Sequence, residues 1–212
     1  MGPTGTSDHA DGDGSRAPRP LLPVTQRERL LDGMAQTVAV NGYAATSVAD
    51  VLRAAGMSRR TFYERFADKE DCFLAAYDAI VAAASERVRA ACAAAPPAQR
   101  LERGLDALLR LLAAEPAFAR LGVVEVLAAG PRGLERRDET LRLFVGLVRE
   151  HAAPAAAAAP PPDLVAQAIV GGIYELLYSH LVRGEADRLP ELNADMLHYT
   201  FMLLGAGQPR GR

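Results

Sequence analysis

A chain of 212 residues, half of them hydrophobic, with 6% aromatics and no Trp, can bury a sizeable core as one large or two small domains. Ala and Leu dominate and β-branched runs with strict alternation are missing, which excludes a sheet-built fold and leaves packed helices. The net charge of −2 does not itself suggest a polyanion partner, but residues 24–69 hold seven Arg or Lys against five Asp or Glu, while residues 70–212 hold fifteen against eighteen; nucleic-acid binding depends on such local placement.

Residues 1–23, rich in Gly, Pro, Asp and Ser, read as a disordered arm. Arg16 and Arg19 within it are either solvated or a weak, salt-sensitive DNA contact. The periodicity of Leu30, Leu31, Met34, Ala35 and Val38 predicts a helix from about Thr25 to Asn41, ended by Gly42. Ser47 and Asp50 have capping-box spacing ahead of Val48, Val51, Leu52 and Ala55, so a second helix starts at Ser47. Gly56 closes it, and Ser58 caps a third over Arg59–Phe66. Two short helices across a three-residue Gly turn have the geometry of a helix-turn-helix corner. The third helix buries Phe62 and Phe66. Its other sides carry Arg59, Arg60, Thr61, Tyr63 and Arg65, groups that reach phosphates and base edges. Lys69 follows, with Asp68 as the expected N-cap of the next helix, so a cation and a helix N-terminus would face the DNA backbone.

The order Gly42-Tyr43, Thr46-Ser47-Val48, Ala55-Gly56, Ser58, Thr61-Phe62-Tyr63, Phe66 and Lys69-Glu70 resembles the N-terminal domain of the tetracycline-repressor (TetR) family of transcription regulators, over about Leu30 to Leu74. Where members often carry His before the aromatic of a Tyr-x-His-Phe run, this chain has Arg65, a permanently charged phosphate donor. The resemblance implies a sequence-specific regulator acting as a homodimer on a palindromic site in double-stranded DNA, a repressor released by a small apolar ligand. The expected DNA contacts are Arg59 and Arg60 to base edges, with Thr46, Ser47, Ser58, Thr61, Tyr63, Arg65 and Lys69 positioning the backbone.

Beyond the reading domain, a long helix is predicted from about Glu70 to Ala94, striped by Phe73, Leu74, Tyr77, Ile80, Val81 and Val88 and stopped by Pro96-Pro97. In the family it resembles, a helix in this place transmits ligand binding to the reading heads. Three more helices are expected between Ala98 and Ala152, the second running from Phe118 to Ala128. Their apolar faces form either a dry core or a cavity. Tyr77, Phe118, Glu125, Phe144 and Tyr174 are the expected lining, with Glu125 or Tyr174 as polar anchor; the same five can instead pack on one another. Glu125, inside Val123–Leu127, can equally face outward. Ala152–Pro162 reads as a low-complexity loop. Asp163 then caps a helix to about Arg183, and Leu189–Leu204 forms the last; the pair suits a two-fold dimer interface with Ile173 and Met196 in it and Ala166, Gly171 and Gly172 allowing close approach.

The expected organisation is therefore all-α: an arm (1–23), a three-helix helix-turn-helix DNA-binding domain (24–69), a helical ligand-binding and dimerisation domain (70–207) and a tail (208–212). An enzyme lacks parts. The four His, at 9, 151, 180 and 198, have no metal-binding spacing, and there is no Gly-x-Ser-x-Gly elbow, phosphate loop or Cys-x-x-Cys, so neither metal nor cofactor is expected. His180 and His198 read as core or interface residues. Cys72 and Cys92, about 30 Å apart on one helix, cannot pair; with no charge-free apolar stretch of membrane length and no signal-peptide core, a cytoplasmic chain off the membrane is expected. A helical protein-interaction module that docks through its Arg-rich turn is the competing reading.

Overall fold

Thr25 and Glu28 start the first helix by capping each other: the Thr25 hydroxyl accepts from the Glu28 N–H, and the Glu28 carboxylate accepts from the Thr25 N–H. This satisfies donors that a helix N-terminus otherwise leaves orphaned. In the computed structural model, which describes residues 25–152 and 160–205, that helix is α1, Gln26–Asn41. α2, Val48–Ala55, repeats the device with Ser47 and Asp50. Gly56 follows at φ 62°, a left-handed conformation in which a Cβ crowds the next carbonyl. Ser58 then caps α3, Arg59–Tyr63. This helix is shorter than expected, because after Tyr63 the chain tightens and the N–H groups of Arg65 and Phe66 both donate to the Phe62 carbonyl. Phe66 still reaches the core.

The remaining helices are α4 (Lys69–Ala94), α5 (Arg100–Ala114), α6 (Pro116–Val123), α7 (Gly130–His151), α8 (Asp163–Val182) and α9 (Asn193–Leu203). Among the described residues there is no strand. The expected arm (1–23), most of the loop after Ala152 and the tail (208–212) lie outside the described residues. Two expected helices are divided. The run expected over 118–128 leaves the α-helix after Val123 and continues as a 3-10 turn over Glu125–Ala128, in a Val-Val-Glu-Val segment whose β-branched side chains favour helix weakly. The last helix is preceded by a 3-10 segment, Ala186–Leu192, which contains Pro190 and so lacks one helical donor. Asp163 is not the expected cap: it is the first residue of α8, and its carboxylate accepts from Arg149 and Gln167.

A single core crosses the expected domain boundary. Leu30, Met34, Val51, Phe62 and Phe73 from α1 to α4 belong to the same buried cluster as Leu111, Phe118, Leu121 and Val126, so α4 and α6 hold the N-terminal helices rather than merely following them. A second cluster joins α5, α6, α8 and α9 through Leu109, Leu177, Leu181, Leu189 and Met196. Met196 is therefore fully buried in its own chain, not at an interface as expected. Ala166 is buried too, and a Cβ on Gly172 would meet the Tyr199 hydroxyl at 2.5 Å. Of the three small residues on α8, Gly171 alone faces open space.

α8 is long and apolar enough to cross a membrane by length and composition. Its inner side, Ile169, Leu177 and Leu181, is packed, while Leu164 and Val182 are exposed.

Replacing Gly56 by Ala should cost about 1–2 kcal/mol of stability through the left-handed φ, with the added Cβ also meeting Arg29 Nη2 at 3.0 Å. A denaturant titration checks this; an unchanged midpoint would mean that the turn does not require the left-handed conformation.

Candidate nucleic-acid interface and ligand cavity

α3 is fixed from behind. Phe62 is fully buried, Phe66 nearly so, and their rings lie 5.6 Å apart, which leaves Arg59 and Tyr63, one helical turn apart, on the outward side. Tyr63 is half-exposed and edge-on to Phe62. Arg59 and Arg65 are exposed and form no hydrogen bond or ion pair among the described residues, whereas Arg60 pairs with Glu64 at 2.9 Å. The hydroxyls of this region are engaged locally. Ser47 and Ser58 cap their helices, Thr61 meets Ser58 at 2.9 Å, and Thr46 is buried with its hydroxyl donated to the Gly42 carbonyl at 2.8 Å. Thr46 is thus turned away from the surface on which it was expected. Its place there is structural.

Lys69 also differs from expectation. Its Nζ donates to the carbonyls of Tyr43 and Thr46, both at 3.0 Å, and lies 4.2 Å from the centre of the Tyr43 ring. Two of its three donors close the segment between α1 and α2 onto the start of α4. The first turn of α4 carries Asp68, Glu70 and Asp71, acids that offset the positive end of the helix dipole and make that end a poor phosphate site. Tyr43 itself packs edge-on to Phe73 at 4.7 Å; burial first, then the nearby Glu70 and Asp68, push its phenol above the ordinary value.

A cavity of about 150 Å³ lies between α4, α5, α6, α7, α8 and α9. Tyr77, Phe118, Phe144 and Tyr174 line it, as expected, and half-buried Ile173, expected at a dimer interface, lines it too. Its phenols are neutral donors. Burial pushes Tyr77 up to about 12, and Tyr77 donates to Thr140 Oγ1 at 2.8 Å; burial likewise raises Tyr174, which donates to the Val123 carbonyl at 2.6 Å. The walls also hold Arg137 and His151, which sequence reasoning missed. The signal was available: residues 137, 140, 144, 147 and 151 alternate spacings of three and four, one face of α7. Arg137 lies over the Tyr174 ring at 4.5 Å.

Glu125 does not line the cavity. The break after α6 turns it the other way, where it is 8% exposed. One carboxylate oxygen accepts the Tyr43 N–H at 2.9 Å and the other lies 3.2 Å from Arg120 Nη2, while Arg120 Nη1 donates to the Leu181 carbonyl at 3.1 Å. The chain Tyr43–Glu125–Arg120–Leu181 joins the segment between α1 and α2 to the end of α8. A buried charge is tolerable when it is paired and hydrogen-bonded in this way.

Residues 30–76 match the family model described as bacterial regulatory proteins, tetR family. No curated protein matches the chain. Among solved structures, the fatty acid degradation regulator FadR from Bacillus halodurans is similar at TM-score 0.76 and 20% identity, covering 90% of this chain and all of that one. FadR from Bacillus subtilis, in complex with stearoyl-CoA, is similar at TM-score 0.69 and 18% identity, covering 81% of this chain and 96% of that one. A tetR-family regulatory protein from Rhodococcus RHA1 follows at 0.67 and 19%, covering 88% and 100%. These likenesses extend the family's fold over the helices beyond residue 76.

Replacing Glu125 by Ala strands the Arg120 guanidinium and the Tyr43 N–H, and should cost about 2–4 kcal/mol. Glu125→Gln keeps an acceptor for Tyr43 and should cost less. Thermal unfolding compares them; equal losses would show that the charge, which both variants remove, carries the whole effect and that a neutral acceptor for Tyr43 adds nothing.

Proposed function

We propose, from the premise that residues 30–76 belong to the tetR family of bacterial regulatory proteins, that this chain is a sequence-specific DNA-binding transcriptional regulator, a repressor whose affinity for its operator falls when a small apolar ligand occupies the cavity. One observation carries the DNA reading: α3 is locked by Phe62 while Arg59, Tyr63 and Arg65 stand outward with their polar groups unpaired among the described residues. A rigid helix with free cations on its outer side enters the major groove, where Arg reads guanine edges bidentately. Arg59 is assigned to base edges, with Arg60 beside it once released from Glu64. Arg65, Tyr63 and the Ser47, Ser58 and Thr61 rim contact phosphate. Lys69 orients the Tyr43–Thr46 segment.

The cavity supports a ligand of elongated, mainly hydrocarbon character. The Bacillus subtilis structure of similar fold carries stearoyl-CoA, and a related acyl amphiphile suits walls built from Leu, Val, Ile and Phe. At about 150 Å³ the free cavity is of the size that holds a benzene-like molecule, below the roughly 300 Å³ at which drug-sized sites begin. A larger ligand must therefore move a wall. α6 is a wall on one side, through Phe118, Gly122 and Val123, and carries Arg120 towards Glu125 on the other. Its displacement loads the Tyr43–Glu125 contact and shifts the heads; tenfold weaker binding needs only about 1.4 kcal/mol of preference for the shifted form.

Two copies assemble through α8 and α9. Leu164, at 76% exposure, Leu176 and Val182 on α8, and Met202 and Leu203 on α9, are apolar groups left outside by the chain's own packing. A two-fold dimer covers them and presents two heads to half-sites about 34–36 Å apart, or a multiple of that. Chromosomal DNA places this activity in the cytoplasm, without a membrane, metal or catalytic role.

Two outcomes are expected. Binding titrations against genomic fragments should show that Arg65→Ala weakens all sites alike and lowers the salt slope by about one, while Arg59→Ala changes base preference by about 1–3 kcal/mol at one position. Lys69→Met should lower the melting temperature as well as affinity. No salt-dependent DNA binding by the unmodified protein would favour a protein-docking role for α3. Separately, sedimentation of Leu164→Glu with Val182→Glu should show a folded monomer where the unmodified chain is a dimer; a dimer that survives the pair would place the interface elsewhere.

A further inference from the structure

The polar groups inside the cavity divide into satisfied and unsatisfied. The Tyr77, Thr140 and Tyr174 hydroxyls all donate within the protein. His151 does not. Its side chain is 9% exposed and lines the cavity, yet among the described residues neither ring nitrogen has a hydrogen-bond partner; Glu150 Oε1, at 3.8 Å from Nε2, is too far. The neighbouring Cys92 thiol, also in the wall, is turned to the Arg100 carbonyl at 3.3 Å. Arg137 Nε is likewise buried without a partner, although its Nη1 pairs with the exposed Asp138. Buried donors and acceptors without partners are rare in folded proteins and mark places where something else completes the bonding.

These two orphans stand at opposite ends of one helix face. Fourteen residues of α7 separate Arg137 from His151, about 21 Å at helical rise, and the wall between them is Leu141, Phe144, Leu147 and Val148 with the hydroxyl of Thr140 near the Arg137 end. Arg137 is the more accessible of the two and is the permanent cation. A plain hydrocarbon chain lying along this face would leave His151 unsatisfied at its tip. A chain ending in a group that both donates and accepts would not.

Resting on the reading of the cavity as the effector site, we propose that His151 is a specificity-determining residue, selecting amphiphiles whose anionic head lies towards Arg137 and whose far end carries a hydroxyl or carboxyl group. An imidazole ring offers one donor and one acceptor when neutral, which matches a terminal hydroxyl, and a site built to bond such a group discriminates against analogues lacking it.

Calorimetric titration of the full chain, which has no Trp to report binding by fluorescence, tests this with hexadecanoic acid and 16-hydroxyhexadecanoic acid. The unmodified protein should bind the hydroxylated acid about tenfold more tightly. His151→Leu should reverse that preference and His151→Gln, which keeps a donor and an acceptor, should restore it in part; melting curves of both variants confirm folding. A wild-type preference for the plain acid that His151→Leu leaves unchanged overturns the assignment of His151 while the cavity stands as a ligand site. Binding of neither acid overturns both.

Discussion

The contact on which most of the architecture depends is the Tyr43 peptide, held on both sides by opposite charges. Its N–H is accepted by Glu125 and its carbonyl takes the Lys69 ammonium, which also covers the ring. A peptide dipole between a carboxylate and an ammonium is bound far more firmly than by two neutral bonds, because charge-assisted bonds are roughly twice as strong. Tyr43 lies in the connection between α1 and α2, so its position sets the angle at which α2 and α3 leave α1. Glu125 belongs to the turn after α6 and Lys69 to the start of α4. The orientation of α3 is thereby tied to α4, which walls the cavity, and to the turn that directly follows the cavity-lining end of α6.

That arrangement leaves no mechanical division between the N-terminal helices and those that wall the cavity. The cluster containing Phe62 and Phe73 runs without a break into Leu111, Phe118 and Leu121, and interiors packed to crystal density pass displacement on instead of absorbing it. α6 is the thin part of this connection. It has eight residues with the cavity on one side and the α1 packing surface on the other, so a wall movement of a fraction of an ångström arrives at Leu121 and Glu125 together.

Local signals carried the N-terminal helices nearly to the residue. Capping boxes at Thr25 and Ser47, a left-handed Gly56 and a Ser58 cap are all determined within a few residues of sequence, and helix α4 begins at its expected Asp68 cap. The apolar lining was readable for the same reason, since helical periodicity says which face turns inward. The misplacements have a common cause in partners distant along the chain. Glu125 looked like a pocket anchor because it is an acid inside an apolar run; its partners are Tyr43, 82 residues away, and Arg120, brought to it by a break after α6 that propensity alone does not position. Lys69 looked like a free cation because carbonyls of an irregular segment have no sequence signature. Met196 and Ile173 show the limit of stripe reading: an amphipathic face says that something covers it, and only packing says whether that is the same chain or another.

The outward groups of α3 are separated from the cavity by the core beneath Phe62, and no cavity polar group lies among the partners of Arg59, Tyr63 or Arg65. A bound ligand therefore cannot change the charge or hydrogen-bonding character of the reading face. It can change only where that face is held. On the proposed dimeric regulator each head would keep its chemistry and its rigid backing, so displacement would act on the spacing and tilt of two intact heads and weaken every operator that demands the original spacing by a similar factor. The acids at the start of α4 act in the same sense. Asp68 and Asp71 are bonded to backbone N–H groups and Glu70 is bonded to Arg132, so the negative charge beside the reader is fixed in place and confines phosphate to the α3 side. On the proposed reading, base preference belongs to α3 and the strength of binding is the quantity left for the rest of the chain to adjust.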